Sequence, residues 1–143
     1  MKQKNIKTTF ATIVGIVVGM LLGSYAVSLV FKKPSIDQEL VKISNELNKS
    51  CPMMIDAVTR LDHTMALPDN TFQYNYTITD VDKETIDTLA IKELMTPQIV
   101  NYFKTSPQTQ FFRTHKVSLN YYYQDETGIY VCAISIKPEQ YAE

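Results

Sequence analysis

The feature that most constrains this chain is an uncharged stretch near its N-terminus. No Asp, Glu, Lys or Arg occurs from Thr8 to Phe31, and the apolar run from Phe10 to Phe31 covers 22 residues. A helix needs roughly 20 apolar residues to cross the hydrocarbon core of a bilayer. Backbone groups inside lipid must be hydrogen-bonded within the segment itself, which favours a helix. Residues 10–31 are therefore predicted to form a transmembrane helix that follows a basic leader, residues 1–9.

The charges beside this helix predict its orientation. Three lysines and the α-amine precede it, whereas Lys32 and Lys33 follow it before acidic residues dominate. Lys and Arg are enriched on the cytoplasmic side of membrane helices. We therefore expect the N-terminus in the cytoplasm, the helix in the bacterial inner (cytoplasmic) membrane, and the C-terminal domain in the periplasm or outside.

A cleavable signal peptide is the alternative to an anchor. Ser24-Tyr25-Ala26 has the small-x-small pattern of a cleavage site. The apolar run continues to Phe31, however, and is longer than the ~7–15 residues of a typical signal core. The length therefore favours an uncleaved signal anchor.

A glycine recurs at every fourth position of this helix, at Gly15, Gly19 and Gly23. Four residues are just over one helical turn, so the three glycines share one face and leave a shallow groove. In lipid such grooves let two helices approach closely. This pattern predicts a helix-packing role for the three glycines, in self-association or docking to a larger membrane partner, although glycine is also common in membrane helices that only anchor.

The charge of the rest of the chain excludes one class of function. Residues up to Lys33 include five lysines and no acid, whereas the remainder has nine Lys and Arg against fifteen Asp and Glu, a net charge of −6. An acidic body repels a phosphate backbone. Nucleic-acid binding is therefore not expected.

The hydrophobic period of the body alternates between that of helices and that of strands. Ser35 is a candidate N-cap for a helix that ends near Ser50. Alternating runs at 61–67 and 72–78 flank a turn and predict an antiparallel hairpin. A helical region over 82–105 and two further strands, at 117–123 and 130–136, complete the order α-β-β-α-β-β. This order predicts an α+β domain, residues 35–143, in which a curved antiparallel sheet of about four strands has its helices on one face.

Several residues of this body form a pattern beyond the periodicity. They are Cys51-Pro52, Asp56, Thr59, Tyr74, Tyr76, Tyr121, Tyr123, Asp125 and Gly128. The pattern, over roughly Ser35 to Pro138, resembles a family of uncharacterised small bacterial domains that are exported or membrane-anchored. The resemblance implies the location and the fold, and it implies no activity. Where such domains carry a cysteine in the middle helix this chain has none, so no disulfide follows from the resemblance. The layout is similar to cystatin-like and nuclear-transport-factor-like domains.

Two cysteines in an extracytoplasmic domain suggest a disulfide between Cys51 and Cys132. Cys132 alternates with apolar residues and should face the core, and Cys51 closes the first helix. Two separate buried thiols are the alternative. A catalytic thiol is disfavoured, because the dipole at a helix C-terminus raises the pKa of a thiol at Cys51.

No other group of residues predicts catalysis, a metal site or a cofactor. His63 and His115 lack the short ligand spacing of zinc sites, and His63 is placed on the apolar face of its strand. No carboxylate pair, nucleophile motif or phosphate-binding loop is present. The chain is therefore not expected to be an enzyme.

The nine tyrosines leave two interpretations open. Tyr74, Tyr76, Tyr121 and Tyr123 are expected either to pack across neighbouring strands or to form an interaction or ligand face, and packing is favoured. The predicted function is an anchored extracytoplasmic interaction module, an accessory or assembly subunit of a bacterial envelope complex, which binds a protein partner or a second copy of itself. The alternative is a small-ligand-binding module that uses the tyrosine-rich concave face of the sheet.

Overall fold

The structure, a computed structural model, describes residues 35–80 and 87–142, with three α-helices and five strands in these ranges. The helices are α1 (Ile36–Asn48), α2 (Thr88–Thr105) and α3 (Gln110–Thr114), and the strands are β1 (Met53–Met54), β2 (Thr59–Leu67), β3 (Thr71–Ile78), β4 (Ser118–Asp125) and β5 (Tyr130–Ile136). Single 3-10 turns occupy Pro107–Thr109 and Pro138–Gln140. The α+β class is confirmed.

The sheet is mixed, which corrects the prediction of an antiparallel sheet of about four strands. Its order is β1-β2-β3-β4-β5, and β3 and β4 run parallel, from Thr71 beside Ser118 to Ile78 beside Asp125. The other pairs are antiparallel. The helical connection between β3 and β4 returns the chain to the end of the sheet where β3 began, and this return makes the pair parallel. The fifth strand, β1, has only two residues and is too short for an alternating pattern to reveal.

Two capping residues begin the long helices. The Ser35 hydroxyl accepts a bond from the Gln38 amide at 3.4 Å, as predicted for α1. The Asp87 carboxylate accepts bonds from the Leu89 and Ala90 amides at 3.1 and 2.9 Å and begins α2. Such caps satisfy amides that have no partner within the helix. The helical region was predicted from residue 82 onward, and residues 81–86 lie outside the described residues.

The core lies between one face of the sheet and the helices. α1 packs on β2, and α2 packs on β5. α2 contributes Met95, Ile99 and Phe103, at intervals of four residues, whereas Leu89 and Leu94 are exposed. α3 adds Phe112, whose ring meets those of Phe72 and Phe103 edge-on. Aromatic rings and aliphatic side chains together form this core.

A β-bulge in β2 changes which side chains face the core. The pairing of β2 with β3 shifts between Leu61 and His63, so Asp62 is the extra residue. Beyond the bulge Thr64 is buried and His63 is exposed. An extra residue reverses the alternation of the side chains that follow it. The placement of His63 on the apolar face was therefore wrong.

The bulge also brings Thr64 close to the side-chain amide of Asn48, at the end of α1. The Asn48 side chain donates to the Thr64 carbonyl at 2.9 Å and accepts from the Thr64 amide at 2.7 Å. The Ser44 hydroxyl donates to the same carbonyl at 2.8 Å. β1 pairs with β2 only at Leu61 and Arg60. Asn48 thus supplies the hydrogen bonds of a neighbouring strand where β1 has already ended.

The turn between β2 and β3 also holds the start of β4. Asp69 and Asn70 have φ of 58° and 54°, a conformation that Asn and Asp adopt more readily than most residues. The Asn70 side chain donates to the carbonyls of His115 and Lys116 at 2.5 and 3.1 Å. The backbone carbonyl of Asn70 accepts from the Ser118 amide at 2.9 Å. This turn therefore fixes the parallel register of β3 and β4.

The predicted transmembrane helix, residues 10–31, lies outside the described residues together with Gly15, Gly19 and Gly23. Within 35–80 and 87–142, no helix combines the length and the apolar composition that a membrane span requires.

We expect Asn48→Ala to destabilise the domain. The substitution leaves the Thr64 amide without a partner and the Thr64 carbonyl with only the Ser44 hydroxyl, and an unsatisfied buried polar group costs about 1–3 kcal/mol. Urea unfolding followed by circular dichroism measures the loss. Asn45→Ala is the matched control, since Asn45 is exposed on the same helix. Equal stability of the two variants would show that Asn48 does not close this edge.

Candidate functional site

The four tyrosines form one stack across the parallel strands. Tyr74 lies beside Tyr121 with ring centroids 4.9 Å apart, and Tyr76 lies beside Tyr123 at 5.1 Å. The planes of these pairs differ by 19° and 17°. The ring planes of Tyr76 and Tyr121 are nearly parallel, differing by 4°, and their centroids are 6.1 Å apart. Because parallel strands in register place like positions side by side, two Tyr-x-Tyr strands align all four rings.

The stack is buried in the core. The four side chains are between 2% and 8% exposed, on the face that carries α1 and α2. This arrangement is packing across neighbouring strands, and the four rings do not form an open surface. Burial raises the pKa of Tyr76 and Tyr121 well above the usual value, since a phenolate would lose its hydration there, and neighbouring tyrosines add to the effect.

Two hydroxyl groups of the stack have no hydrogen-bond partner among the described residues. They belong to Tyr74 and Tyr121, each 2% exposed. By contrast, the hydroxyl of Tyr141, a further buried ring, donates to the Val117 carbonyl. An unsatisfied buried hydroxyl is costly, so these two groups are the polar atoms of the core most able to gain from a ligand or an ordered water.

Two aspartates of the sequence pattern hold loops. The Asp56 Oδ1 atom accepts from the Val58 and Thr59 amides, both at 2.8 Å, just before β2. The Asp125 Oδ1 atom accepts from the amides of Thr127 and Ile129, both at 2.9 Å, in the turn between β4 and β5. Gly128 in that turn has φ of 83°, which favours glycine. In the structure, Asp56, Asp125 and Gly128 therefore shape the backbone of their own loops.

The two cysteines are free thiols, which corrects the predicted disulfide. Cys51 follows α1, which packs on β2, whereas Cys132 lies on β5 beside Tyr123. Three steps of the sheet separate β2 from β5, about 14 Å at the usual strand spacing. A disulfide requires Cα atoms within roughly 7 Å. The tyrosine strands therefore keep the two thiols apart. The sequence suggested that both faced one sheet face, but it did not give their distance across it.

Neither thiol is activated. Burial raises the pKa of Cys51, and the nearby Asp62 carboxylate raises it further. Burial likewise raises the pKa of Cys132, against the opposing effect of Lys92. A nucleophilic cysteine needs a lowered pKa.

The histidines do not come together with other ligands. Nδ1 of His115 lies 2.9 Å from the Phe111 carbonyl, and its ring packs on the Phe111 ring at 4.2 Å. In the part of the chain that the structure describes, no three His, Cys, Asp or Glu side chains are close enough to hold a metal ion.

The other face of the sheet is polar and joined by hydrogen bonds. One row links three amide side chains: Asn120 donates to Gln73 at 2.6 Å, and Gln73 donates to Asn75 at 2.7 Å. A second row links Thr77 to Asp62 at 2.5 Å, and Asp62 to Arg60 at 2.6 Å. Two of these bonds cross between strands, from β4 to β3 and from β3 to β2, and the other two join residues of one strand.

A depression of about 290 Å³ is lined by Lys104, Arg113, Thr114 and Tyr141, away from the tyrosine stack. Arg113 has a structural role beside it, because Nη1 donates to the carbonyls of Phe103 and Ser106 at 2.5 and 2.7 Å. These carbonyls lie at the C-terminus of α2, where a cation is favourable. The guanidinium of Arg113 is therefore engaged mainly by carbonyls at the C-terminus of α2.

Sequence reasoning missed the residues that join distant elements. Asn48 and Asn70 bond to backbone groups 16 and 45 residues away. An asparagine at the end of a helix or in a turn has local explanations, so no pattern in a single sequence separates these two from the other asparagines. The aspartates of the turns could be identified from the sequence, because Asp and Gly at fixed offsets are typical of turns.

We expect Tyr121→Phe to preserve or raise stability, because it removes a buried hydroxyl that has no partner, with a gain of up to about 1 kcal/mol. Tyr141→Phe is the matched control and should lower stability by about 1 kcal/mol or more, because it breaks the bond to Val117. Thermal unfolding of both variants makes the comparison. A clear loss in Tyr121→Phe would mean that its hydroxyl is bonded in solution.

We expect the domain to unfold in alkali as its stacked tyrosines ionise. Their pKa values are raised by folding, so the stabilisation is complete below the unfolded value of about 10 and is lost as the pH rises above it. Tyrosinate absorbance and circular dichroism, followed together, should change together for these rings. Full tyrosinate absorbance from a chain with native circular dichroism would contradict the burial of the stack.

Comparison with solved structures gives three similar folds. A predicted secreted protein from Pseudomonas aeruginosa matches at a TM-score of 0.57 and 12% identity, over 76% of this chain and 98% of that one. The type 2 secretion pilotin EpsS from Vibrio vulnificus matches at 0.56 and 6%, over 76% and 93%. The type 2 secretion pilotin AspS from Vibrio cholerae matches at 0.54 and 10%, over 73% and 91%. At these identities the likeness concerns the fold.

No curated protein matches the sequence. A family model does match it, from Ser35 in front of α1 to Tyr130 at the start of β5. The resemblance to a family without an assigned activity is thereby confirmed, although the residue pattern behind it is not tested. The chain belongs to the family described as Domain of unknown function (DUF8479).

Proposed function

We propose that this chain is a membrane-anchored, extracytoplasmic interaction module that serves as an accessory or assembly subunit of a bacterial envelope complex. The observation that carries the proposal is the fold shared with two pilotins of type 2 secretion systems, over 93% and 91% of those chains. The predicted secreted protein of similar fold supports an extracytoplasmic setting. Fold alone does not determine function, so the proposal also draws on this chain's own residues.

The chemistry of the described residues favours interaction over catalysis. The side chains that enzymes use are engaged in the fold: Asp56 and Asp125 bind loop amides, and Arg113 binds the end of α2. Burial raises the pKa values of both thiols. A catalytic site brings a nucleophile, a base and a stabilising donor together, and these groups are instead dispersed over loops and helix ends.

The proposed anchor is the uncharged segment of residues 10–31. Its length suits a bilayer span, and its flanking lysines favour a cytoplasmic N-terminus. The glycine face of Gly15, Gly19 and Gly23 gives this helix a means of packing against another helix. In this proposal the inner membrane holds the module, and the acidic body meets its partner outside the cytoplasm.

Binding of a small ligand is a second candidate, favoured by one observation. The hydroxyls of Tyr74 and Tyr121 are buried on the tyrosine face, and no described residue bonds to them. A polar ligand would satisfy them, provided that α1 or α2 moved to admit it. The observed depression lies elsewhere, beside Lys104 and Arg113, which makes this candidate the weaker one.

We expect the full-length chain, tagged and purified from membranes in mild detergent, to recover components of one envelope complex. The same components, tagged in turn, should recover this chain. Gly19→Ile fills the glycine groove while keeping the span apolar, and should lower recovery of any partner that the anchor holds. Val17→Ile changes an apolar side chain off the glycine face, leaves the groove open and is the control.

Two outcomes would contradict the proposal. One is recovery of only chaperones and proteases by the wild-type chain. The other is normal assembly of the recovered complex in a strain that lacks this chain. Equal recovery by the Gly19→Ile and Val17→Ile variants would instead assign the partner contact to the outer domain.

A further inference from the structure

The depression beside α3 is lined by two cations, and we call it the cationic recess. It has a volume of about 290 Å³, and its lining residues are Lys104, Arg113, Thr114 and Tyr141. No described carboxylate forms an ion pair with either cation. In a body whose net charge is −6, a recess lined by two cations and by no described acid is a place where an anion is favoured.

Arg113 keeps part of its guanidinium for such an anion. Its Nη1 atom donates to the carbonyls of Phe103 and Ser106 and to the Thr109 hydroxyl, whereas no described residue accepts from Nε or Nη2. A guanidinium is a planar fork of donors that matches two oxygens of a phosphate. The Nη1 bonds hold this fork in place before a ligand arrives, which lowers the cost of binding.

Two further donors lie at the same recess. Lys104 and Thr114 are exposed, and they supply an ammonium and a hydroxyl beside the guanidinium of Arg113. A phosphate group carries several acceptor oxygens and a negative charge, so it can use all three kinds of donor. The donor set therefore fits a phosphate better than it fits an uncharged ligand.

The start of α1 marks the end of the sheet that is nearest to the N-terminal segment. Asn48 bonds to Thr64, and Cys51, three residues further on, lies near Asp62. α1 therefore runs in the direction opposite to β2. Its first residues consequently lie toward the end of β2 at Leu67 and the turn that follows.

The cationic recess lies at this same end of the sheet. The turn after β2 is bonded to the segment before β4, since Asn70 donates to the carbonyls of His115 and Lys116. Thr114 directly precedes that segment, and the Tyr141 hydroxyl donates to the carbonyl of Val117 within it. The recess and the start of α1 therefore share one end of the domain.

We propose that the cationic recess binds the phosphate group of an anionic membrane lipid. The proposal rests on the membrane anchor of the proposed function, because the four steps from Phe31 to Ser35 span at most about 14 Å. The end of the domain that carries the recess is thereby held close to the bilayer surface, where anionic headgroups attract Lys and Arg. The anchor keeps lipid phosphates at a high effective concentration beside the recess, an advantage that free phosphate lacks.

The test uses the full-length, isotope-labelled chain in micelles of an uncharged detergent, titrated with phosphatidylglycerol. We expect the amide resonances of Lys104, Arg113 and Thr114 to shift and to saturate. Diacylglycerol, which has the same acyl chains and no phosphate, should leave them in place. Lys104→Gln should weaken the apparent affinity for phosphatidylglycerol about threefold, the size expected for one exposed charge contact. Lys116→Gln is the matched control with unchanged affinity, since it removes the same charge from an exposed position outside the recess.

Glu139→Gln is a second variant, which changes the charge near the recess without removing a donor. Burial raises the pKa of Tyr141, Arg113 lowers it, and the Glu139 carboxylate raises it, so this exposed carboxylate acts on the recess. A carboxylate opposes a bound anion, and Glu139→Gln should therefore tighten the binding of phosphatidylglycerol.

Three results would overturn the proposal. They are equal affinities in the Lys104→Gln and Lys116→Gln chains, equal shifts with diacylglycerol, and weaker binding in the Glu139→Gln chain. Inorganic phosphate that saturates the same resonances at concentrations no higher than those of the lipid would also overturn it, because the recess would then take free phosphate. Carbonate extraction of membranes reports separately on the proposed function: a chain that carbonate releases contradicts the anchor, whatever the titration shows.

Discussion

The rest of the structure depends on the parallel pairing of β3 with β4. In register, this pairing sets Tyr74 beside Tyr121 and Tyr76 beside Tyr123, which produces the stacked core. A shift of β4 by one residue would turn its Tyr-x-Tyr side chains outward and bring its polar amides inward, which would break the stack. Asn70 holds the starts of the two strands together and so opposes that shift. The connection through α2 and α3 then places the helices on the tyrosine face.

The local elements could be predicted from the sequence, whereas their arrangement could not. Ser35 fixed the start of α1, and Pro68-Asp69-Asn70 marked the hairpin turn, because capping and turn chemistry act over a few residues. The direction of β4 relative to β3 depends on a connection of about 40 residues, and no local signal encodes it. The bulge at Asp62 likewise misled the placement of His63, because alternation was assumed to continue.

The four tyrosines of the candidate site were named from the sequence, and their role as an interaction or ligand face stays a prediction. The four tyrosines do lie together, as two Tyr-x-Tyr strands suggested, but their rings face the helices and are buried. The aspartates near them bind backbone amides. What such a domain can offer a partner under the proposed function is therefore its shape, its edges and its exposed apolar residues.

The bond between Asn48 and Thr64 has a consequence for the motions of the domain. Because a side chain at the end of α1 completes the hydrogen bonds of β2, the helix cannot lift from the sheet without exposing that strand. α1 and the outer side of β2 should therefore open as one cooperative unit, in which the Thr64 amide exchanges its hydrogen at the rate at which the helix detaches. Any partner or ligand that reaches the stacked rings by displacing α1 must also overcome this coupling, so entry to the core depends on a single amide at the edge of the sheet.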